Sequence, residues 1–143
     1  MSNILRSKCL VVGDSAVGKT ALIQVFNSDN TFYPKNYTMT CGVDLVVKTV
    51  NVPDTNDVVE LYFYDSSGKE TYLDMMQKLW HNPSMWALVF DVTNEDSFNN
   101  MSSWLQKLQD LKPAVPPTER HDWSRRTLFL PGKRMAQTIC RTN

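Results

Sequence analysis

The residue types best able to do chemistry are concentrated in one run, Gly13-Asp14-Ser15-Ala16-Val17-Gly18-Lys19-Thr20. Its spacing, G-x-x-x-x-G-K-T, is that of a phosphate-binding loop. A polyphosphate carries several negative charges that must be held without bulk water. Backbone N–H groups of residues 14 to 20, with Ala21 opening the segment behind them, can curl around a β-phosphate as an anion-binding nest. The N-terminus of a following helix adds the positive end of its dipole. Gly13 and Gly18 permit backbone angles and a close approach that a Cβ would block. Lys19 supplies a mobile ammonium to the β- and γ-phosphates, and the Thr20 hydroxyl can ligate Mg²⁺. The competing reading is a chance glycine turn.

The flanking elements decide against chance. Lys8-Cys9-Leu10-Val11-Val12 is short, apolar and β-branched, as a buried strand requires, and Ala21-Leu22-Ile23-Gln24-Val25-Phe26 suits a helix packed on a sheet. The helix is expected to end in the turn formers Asn27-Ser28-Asp29-Asn30. Thr31 to Cys41, with Pro34 and two tyrosines, has the composition of a mobile loop and carries Thr38 and Thr40. Val43 to Val52 reads as a strand whose cleaner face holds Val43, Leu45 and Val47. Pro53 to Asp57 is a turn, and Val58 to Tyr64 completes an antiparallel hairpin. Asp65-Ser66-Ser67-Gly68-Lys69-Glu70 alone is a polar turn. Opposite a phosphate loop, Asp65 can hold a metal through water, and Gly68 lets a backbone N–H reach a terminal phosphate. Glu70 to Trp80 fits a helix with Leu73, Met76, Leu79 and Trp80 on one face, broken by Asn82-Pro83. Met85 to Phe90 is wholly apolar, as in a central parallel strand. Thr93 with Asp96 forms a capping-box pattern. Phe98, Met101, Leu105 and Leu108 then fall at helical spacing, with Trp104 alongside.

Composition bounds the rest. The 143 residues suit one domain or part of one. No run approaches the ~20 apolar residues of a transmembrane helix, and no signal-peptide pattern precedes the first strand. Cys9, Cys41 and Cys140 lack metal-type spacing, and their odd number argues against a disulfide framework, so a cytosolic compartment fits. His81 and His121 have no partner at ligand spacing. Net charge is zero but divided: residues 1–111 carry 8 basic and 13 acidic residues, and residues 112–143 carry 7 and 2. The tail also holds Pro113, Pro116, Pro117 and Pro131. Without interleaved aromatics this basic tail is a poor nucleic-acid site. The change near Lys112 divides the chain into residues 1–111 and a divergent tail, 112–143, and has the character of a splice or frame boundary.

The set Gly13–Thr20, Thr40-Cys41-Gly42-Val43-Asp44, Asp65–Glu70 and Phe90–Phe98 resembles the Ras-superfamily small GTPases, Rab branch. The runs GDSAVGKTAL, DLVVKTV, VPDTNDVVEL, YDSSGKE and VFDVTNEDSFNN are similar to the Rab-like GTPases of ciliary intraflagellar transport. The resemblance covers residues 4 to about 111. It implies an α/β fold: an incomplete small-GTPase domain, its mixed, mostly parallel sheet carrying helices on both faces, followed by an irregular tail. It implies GTP or GDP and Mg²⁺ as cofactors, with Thr40 as the first-switch threonine, Asp65 supporting the metal and Gly68 contacting the γ-phosphate. Thr20, Thr40 and Asp65 would form the metal set, and Lys19, Thr40 and Gly68 the catalytic one. It implies the small β-sandwich subunit intraflagellar transport protein 25 and other B-complex subunits as partners. A role in exporting receptors and the Bardet–Biedl complex follows, with residence in the cytoplasm and cilium.

Two departures qualify these implications. Lys69 stands where the family has a water-orienting glutamine, and an ammonium cannot accept the water's hydrogen bond, so hydrolysis is expected to be slow. The family's Asn-Lys-x-Asp and Ser-Ala-Lys elements, which read guanine, do not occur. Thr127–Leu130 can form a short fifth strand, but Pro131-Gly132-Lys133-Arg134-Met135 retains only a lysine of the motif, which removes most base choice. The expected sheet leaves Trp86–Phe90 near a bare edge. Cys140-Arg141-Thr142-Asn143 lacks the aliphatic residues of a prenylation box. The alternatives to a GTP-binding switch are an interaction module without nucleotide and an ATP-using phosphate-loop enzyme.

Overall fold

The computed structural model describes residues 3–111 throughout and the backbone of residues 123–130 and 134–141. Strand β1 (Ile4–Val12) leads through the glycine loop into helix α1 (Lys19–Asn27). Strands β2 (Val43–Asn51) and β3 (Val58–Ser66) follow, then a single 3-10 turn over Glu70–Tyr72 and helix α2 (Leu73–Leu79). The described order closes with β4 (Met85–Asp91), α3 (Glu95–Asn99), α4 (Met101–Gln109), β5 (Trp123–Leu130) and β6 (Arg134–Arg141).

The sheet runs β2-β3-β1-β4-β6-β5. β1 is parallel to both β3 and β4, while β2 pairs with β3 as an antiparallel hairpin, from Val43 opposite Ser66 to Asn51 opposite Val58. These four strands are the mixed, mostly parallel sheet expected. Two-residue alternation within apolar strands builds a core on each face. Leu10 and Val12 of β1, with Trp86 and Leu88 of β4, face Met76 and Trp80 near α2 and Met101, Trp104 and Leu108 of α4. Cys9, Val11, Ala87 and Val89 point the other way, with Ile23 of α1 and Val17 of the glycine loop. Helices thus cover both faces. Among the described residues no helix is long and apolar enough to cross a membrane.

Several local expectations need correction. The tail is not irregular throughout: β5 and β6 are antiparallel strands, and β6 lies against β4 from Met85 opposite Cys140 to Asp91 opposite Arg134. Trp86–Phe90 is therefore not at a bare edge. Thr127–Leu130 does fall in a strand, but that strand is outermost and β6 does the covering. Residues 131–133 and 112–122 lie outside the described residues, as do the side chains of Met135 and Cys140. Strand β1 begins at Ile4, four residues early, because β3 is long enough to pair with it there. β3 likewise runs on to Ser66, so Asp65 sits inside the strand.

On β2 the face with Leu45 and Val47 is the more exposed, at 55% and 45%. Packing is divided between the two faces: Val43 meets the α2-side core, while Val46, on the opposite face, meets the α1-side core. Leu79 is largely exposed rather than on the buried face of α2, which is carried by Met76 with Trp80 just beyond. The helix expected over residues 98–108 is split into α3 and α4, so Phe98 lies outside the buried stripe and packs edge-on against Phe90 instead. Thr93 is not the cap of α3. Its N–H and hydroxyl both donate to Asp91 Oδ1, and Asn94 caps the helix through Ser97 N.

Candidate functional site

The glycine loop is shaped for an anion by its backbone. Gly13 has φ 148° and Gly18 φ 100°, and Ala16, which carries a Cβ, is held at φ 62°. A left-handed alanine costs about 1–2 kcal/mol, and strain of this kind gathers where geometry serves a ligand. At Gly13 a Cβ would meet Val89 O at 2.1 Å, so only glycine lets β1 turn under β4. Helix α1 starts on Gly18 with no side-chain cap, which leaves its first N–H groups to be met by something else.

Lys19 is 6% exposed and folds back along the loop, its Nζ donating to Gly13 O at 2.9 Å and Asp14 O at 2.6 Å. Burial pulls this ammonium down to about 8, and the carboxylates of Asp65 and Asp14 pull it partly back up. Thr20, in the first turn of α1, donates to Asp65 Oδ2 at 2.5 Å and has Thr40 Oγ1 3.0 Å away. The three residues named as a metal set from sequence are thus brought together from α1, the segment between α1 and β2, and β3. Burial raises the Asp65 carboxyl above its usual range, opposed by the Thr20 hydrogen bond and the Lys19 charge. Its Oδ1 is buried and, among the described residues, has no hydrogen-bond partner. A buried carboxylate oxygen left unmet is costly, and two hydroxyls beside it complete an all-oxygen donor group of the kind Mg²⁺ takes. The residues fit that ion.

A cleft of about 460 Å³ opens above them. Ser15, Ala16, Gly18, Lys19, Thr20 and Ala21 form one wall, residues 32–40 a second, and Ser66, Ser67 and Gly68 a third. Gly13, Asp14, Val17 and Asp65 are not in its lining. Val17 packs its side chain into the core, and Asp65 lies behind Thr20. Gly68 rests directly on the loop: a Cβ there would lie 2.1 Å from Ser15 N and 2.3 Å from Asp14 C. Lys69 is exposed and its backbone N–H is turned to Ser67 Oγ at 3.3 Å. The end of β3 touches the turn before β2 through Ser67 N donating to Gly42 O at 2.7 Å. Trp80 Nε1 donates to the buried Ser66 Oγ at 2.8 Å, fixing the end of β3 against α2.

Two groups of residues escaped the sequence reading. Phe32, Tyr33 and Tyr37 line the cleft, whereas sequence marked their segment only as polar and mobile. Asn100 and Trp104 both donate to the Asp14 carboxylate. Trp104 had the signature of a core position, and the available signal lay at the other end: an acid inside an anion-gathering loop needs donors of its own.

The Ras family model matches residues 8–119. The human intraflagellar transport protein 27 homolog is 56% identical over 111 residues, which is 78% of this chain and 60% of that protein. Intraflagellar transport protein 27 of Chlamydomonas reinhardtii is 39% identical over 109 residues, 76% of this chain and 53% of its own length. The rat Ras-related protein Rab-7L1 is 38% identical over 112 residues, with 78% and 53% covered. The chain therefore spans little more than half the length of these relatives. The stretch shared with them is the one that builds the loop, the hairpin and the cleft wall, and by that stretch the chain belongs to the Ras family of small GTPases.

Proposed function

We propose that this chain binds GTP or GDP with Mg²⁺ in the cleft between the glycine loop and residues 32–40, and acts as a Rab-like switch subunit of the intraflagellar transport B complex. One observation carries the binding reading: Thr20, Thr40 and Asp65 converge from three separate elements, with an unmet carboxylate oxygen among them, beside a lysine folded along a phosphate loop. The cation, when bound, supplies charge neutralisation to the phosphates. Amides of residues 14–21 cradle the phosphates, Lys19 swings its ammonium from the loop carbonyls to them, and Thr40 ties the first switch to their presence. Gly68 withdraws from the Ser15 amide to let a terminal phosphate in. Loss of that phosphate frees residues 32–40 and 66–70, which is how a partner senses the state.

Similarity to proteins named for intraflagellar transport supports the ciliary assignment. Intraflagellar transport protein 25 and its B-complex neighbours are the proposed partners, export of the Bardet–Biedl complex the proposed pathway, and cytoplasm and cilium the proposed locations. Hydrolysis is slow, because Lys69 offers only donors where an acceptor must orient water. The test is titration of fluorescent GDP and GTP in Mg²⁺ against the full chain and a variant with both Lys19→Ala and Thr20→Ala. Binding that the double variant loses supports the reading. Retention of nucleotide equally well by both proteins refutes it, and stronger competition by ATP than by GTP would favour an ATP-using enzyme.

A further inference from the structure

Asp14 places a carboxylate within a loop whose amides gather anions, a position that works against the ligand proposed above. Helix α4 holds that carboxylate from outside. Oδ2 accepts from Asn100 Nδ2 at 2.8 Å and Oδ1 from Trp104 Nε1 at 2.7 Å. Asn100 is the residue on which α4 starts, and Trp104, one turn on, is 3% exposed in the core. The rest of Asp14 is held as firmly. Its carbonyl takes the Lys19 ammonium at 2.6 Å, and its peptide link to Ser15 lies against Gly68. Lys107, three residues past Trp104, stands 4.5 Å over the indole ring and pairs with Glu70 at the start of the second-switch 3-10 turn. One indole thus meets the phosphate loop with its edge and the second switch, through Lys107, with its face.

We propose that Asp14 is a positioning residue for the phosphate loop, anchored by Trp104 and Asn100, and that α4 relays displacement of Glu70 to the loop's grip on phosphate. The relay rests on nucleotide binding at the cleft; the anchor does not. Both Asp14 oxygens are hydrogen-bonded by neutral N–H groups, and the Lys19 ammonium acts on that carboxylate through charge alone, its own bonds going to the carbonyls of Gly13 and Asp14. Two charge-assisted bonds to one helix fix the Asp14–Ser15 peptide, and with it the amides that follow. The Glu70 side chain is 72% exposed, so as a mere surface pair it would add little, and its removal would leave nucleotide release unchanged.

The test uses the full 143-residue chain and two readouts. The first is release of fluorescent GDP in Mg²⁺ from wild type, Trp104→Phe, Glu70→Gln and the double variant. The second is amide hydrogen exchange of residues 13–20 without nucleotide. Trp104→Phe keeps an aromatic ring but loses the N–H; it should speed release about tenfold and raise exchange in the loop. Glu70→Gln should speed release about threefold in wild type and add nothing to Trp104→Phe, the non-additivity expected of residues in one chain of contacts. Asp14→Asn, which cannot accept both bonds with equal strength, gives the same readouts should Trp104→Phe fold poorly. Unchanged release and exchange in both Trp104→Phe and Asp14→Asn overturn the anchor, and additive effects overturn the relay. Wild type that binds no GDP while the variants still raise loop exchange refutes the nucleotide reading and the relay, and upholds the anchor.

Discussion

Lys19 should make the nucleotide-free protein less stable at neutral pH than at alkaline pH. Its ammonium titrates at about 8 in the fold against an ordinary 10.5, chiefly because burial strips it of water. The sign follows from linkage: between those values the unfolded chain holds a proton that the folded chain has lost, so stability rises with pH across that window. Each pKa unit is worth about 1.4 kcal/mol. The whole interval amounts to about 3 kcal/mol, and the part below pH 9.5 to about 2 kcal/mol. Lys19→Met keeps the apolar stem and removes the charge. It also leaves the carbonyls of Gly13 and Asp14 without their donor, a loss that does not depend on pH, so the change with pH rather than the absolute difference is diagnostic. Urea unfolding of both nucleotide-free proteins at pH 7 and 9.5 should show wild type gaining about 2 kcal/mol on the variant. A difference that stays flat or moves the other way would show that Lys19 is not held at a cost. With Mg²⁺ and GDP at about a hundred times the dissociation constant, wild type should gain roughly 2.7 kcal/mol and the variant almost nothing.

Gly68→Ala should push the second switch off the glycine loop, since its Cβ has only backbone neighbours at 2.1–2.6 Å. A stability loss of about 1–3 kcal/mol is expected, together with nucleotide affinity that no longer distinguishes GTP from GDP, read by thermal melting and titration. Asp65→Asn should make GDP release insensitive to chelation of Mg²⁺, whereas chelation speeds release from wild type; two variant time courses that differ as much as those of wild type would refute its role. Single-turnover GTP hydrolysis by the unassisted chain should be slow, and Lys69→Gln should not slow it further; fast hydrolysis by wild type would show that another group orients the water.

How much was legible in the sequence depended on how local the determinant was. The glycine loop and its helix are specified by residues within a dozen positions of one another, and Gly13, Lys19 and Thr20 stand where their spacing placed them. Asp65 was legible as an acid opposite a phosphate loop and Thr40 through resemblance to a family pattern, and the fold brings both to Thr20. Most of what stayed hidden depends on partners distant in the chain, with Thr93 a local exception. That Val46 rather than Leu45 is covered could not be told from the alternation of β2, because the two are equally apolar and only the position of α1 selects between them. Thr93 was misread because Asp91, two residues back, takes the hydroxyl first. The hold of Trp104 on Asp14 spans 90 residues, and no spacing rule reaches that far.

The place of β6 leads to the last prediction. β4 is a central strand whose side chains are apolar on both faces, and one of its edges is satisfied by β1. The other edge takes its ladder from β6, which comes from the tail that shares neither the charge balance nor the motifs of residues 1–111. A strand edge of this length, left open and apolar, is a template for pairing with another copy. Ending the chain at Leu111 should therefore leave nucleotide-site residues in place but uncover that edge. The truncated protein should associate at micromolar concentration, by light scattering, under conditions where the full chain stays monomeric. Substituting Thr138→Pro, which removes an N–H donor from the backbone of β6, should move the full chain part of the way toward the same behaviour. A truncated protein as soluble and as stable as the full chain would mean that the tail strands do not protect β4, and that residues 1–111 close their own sheet.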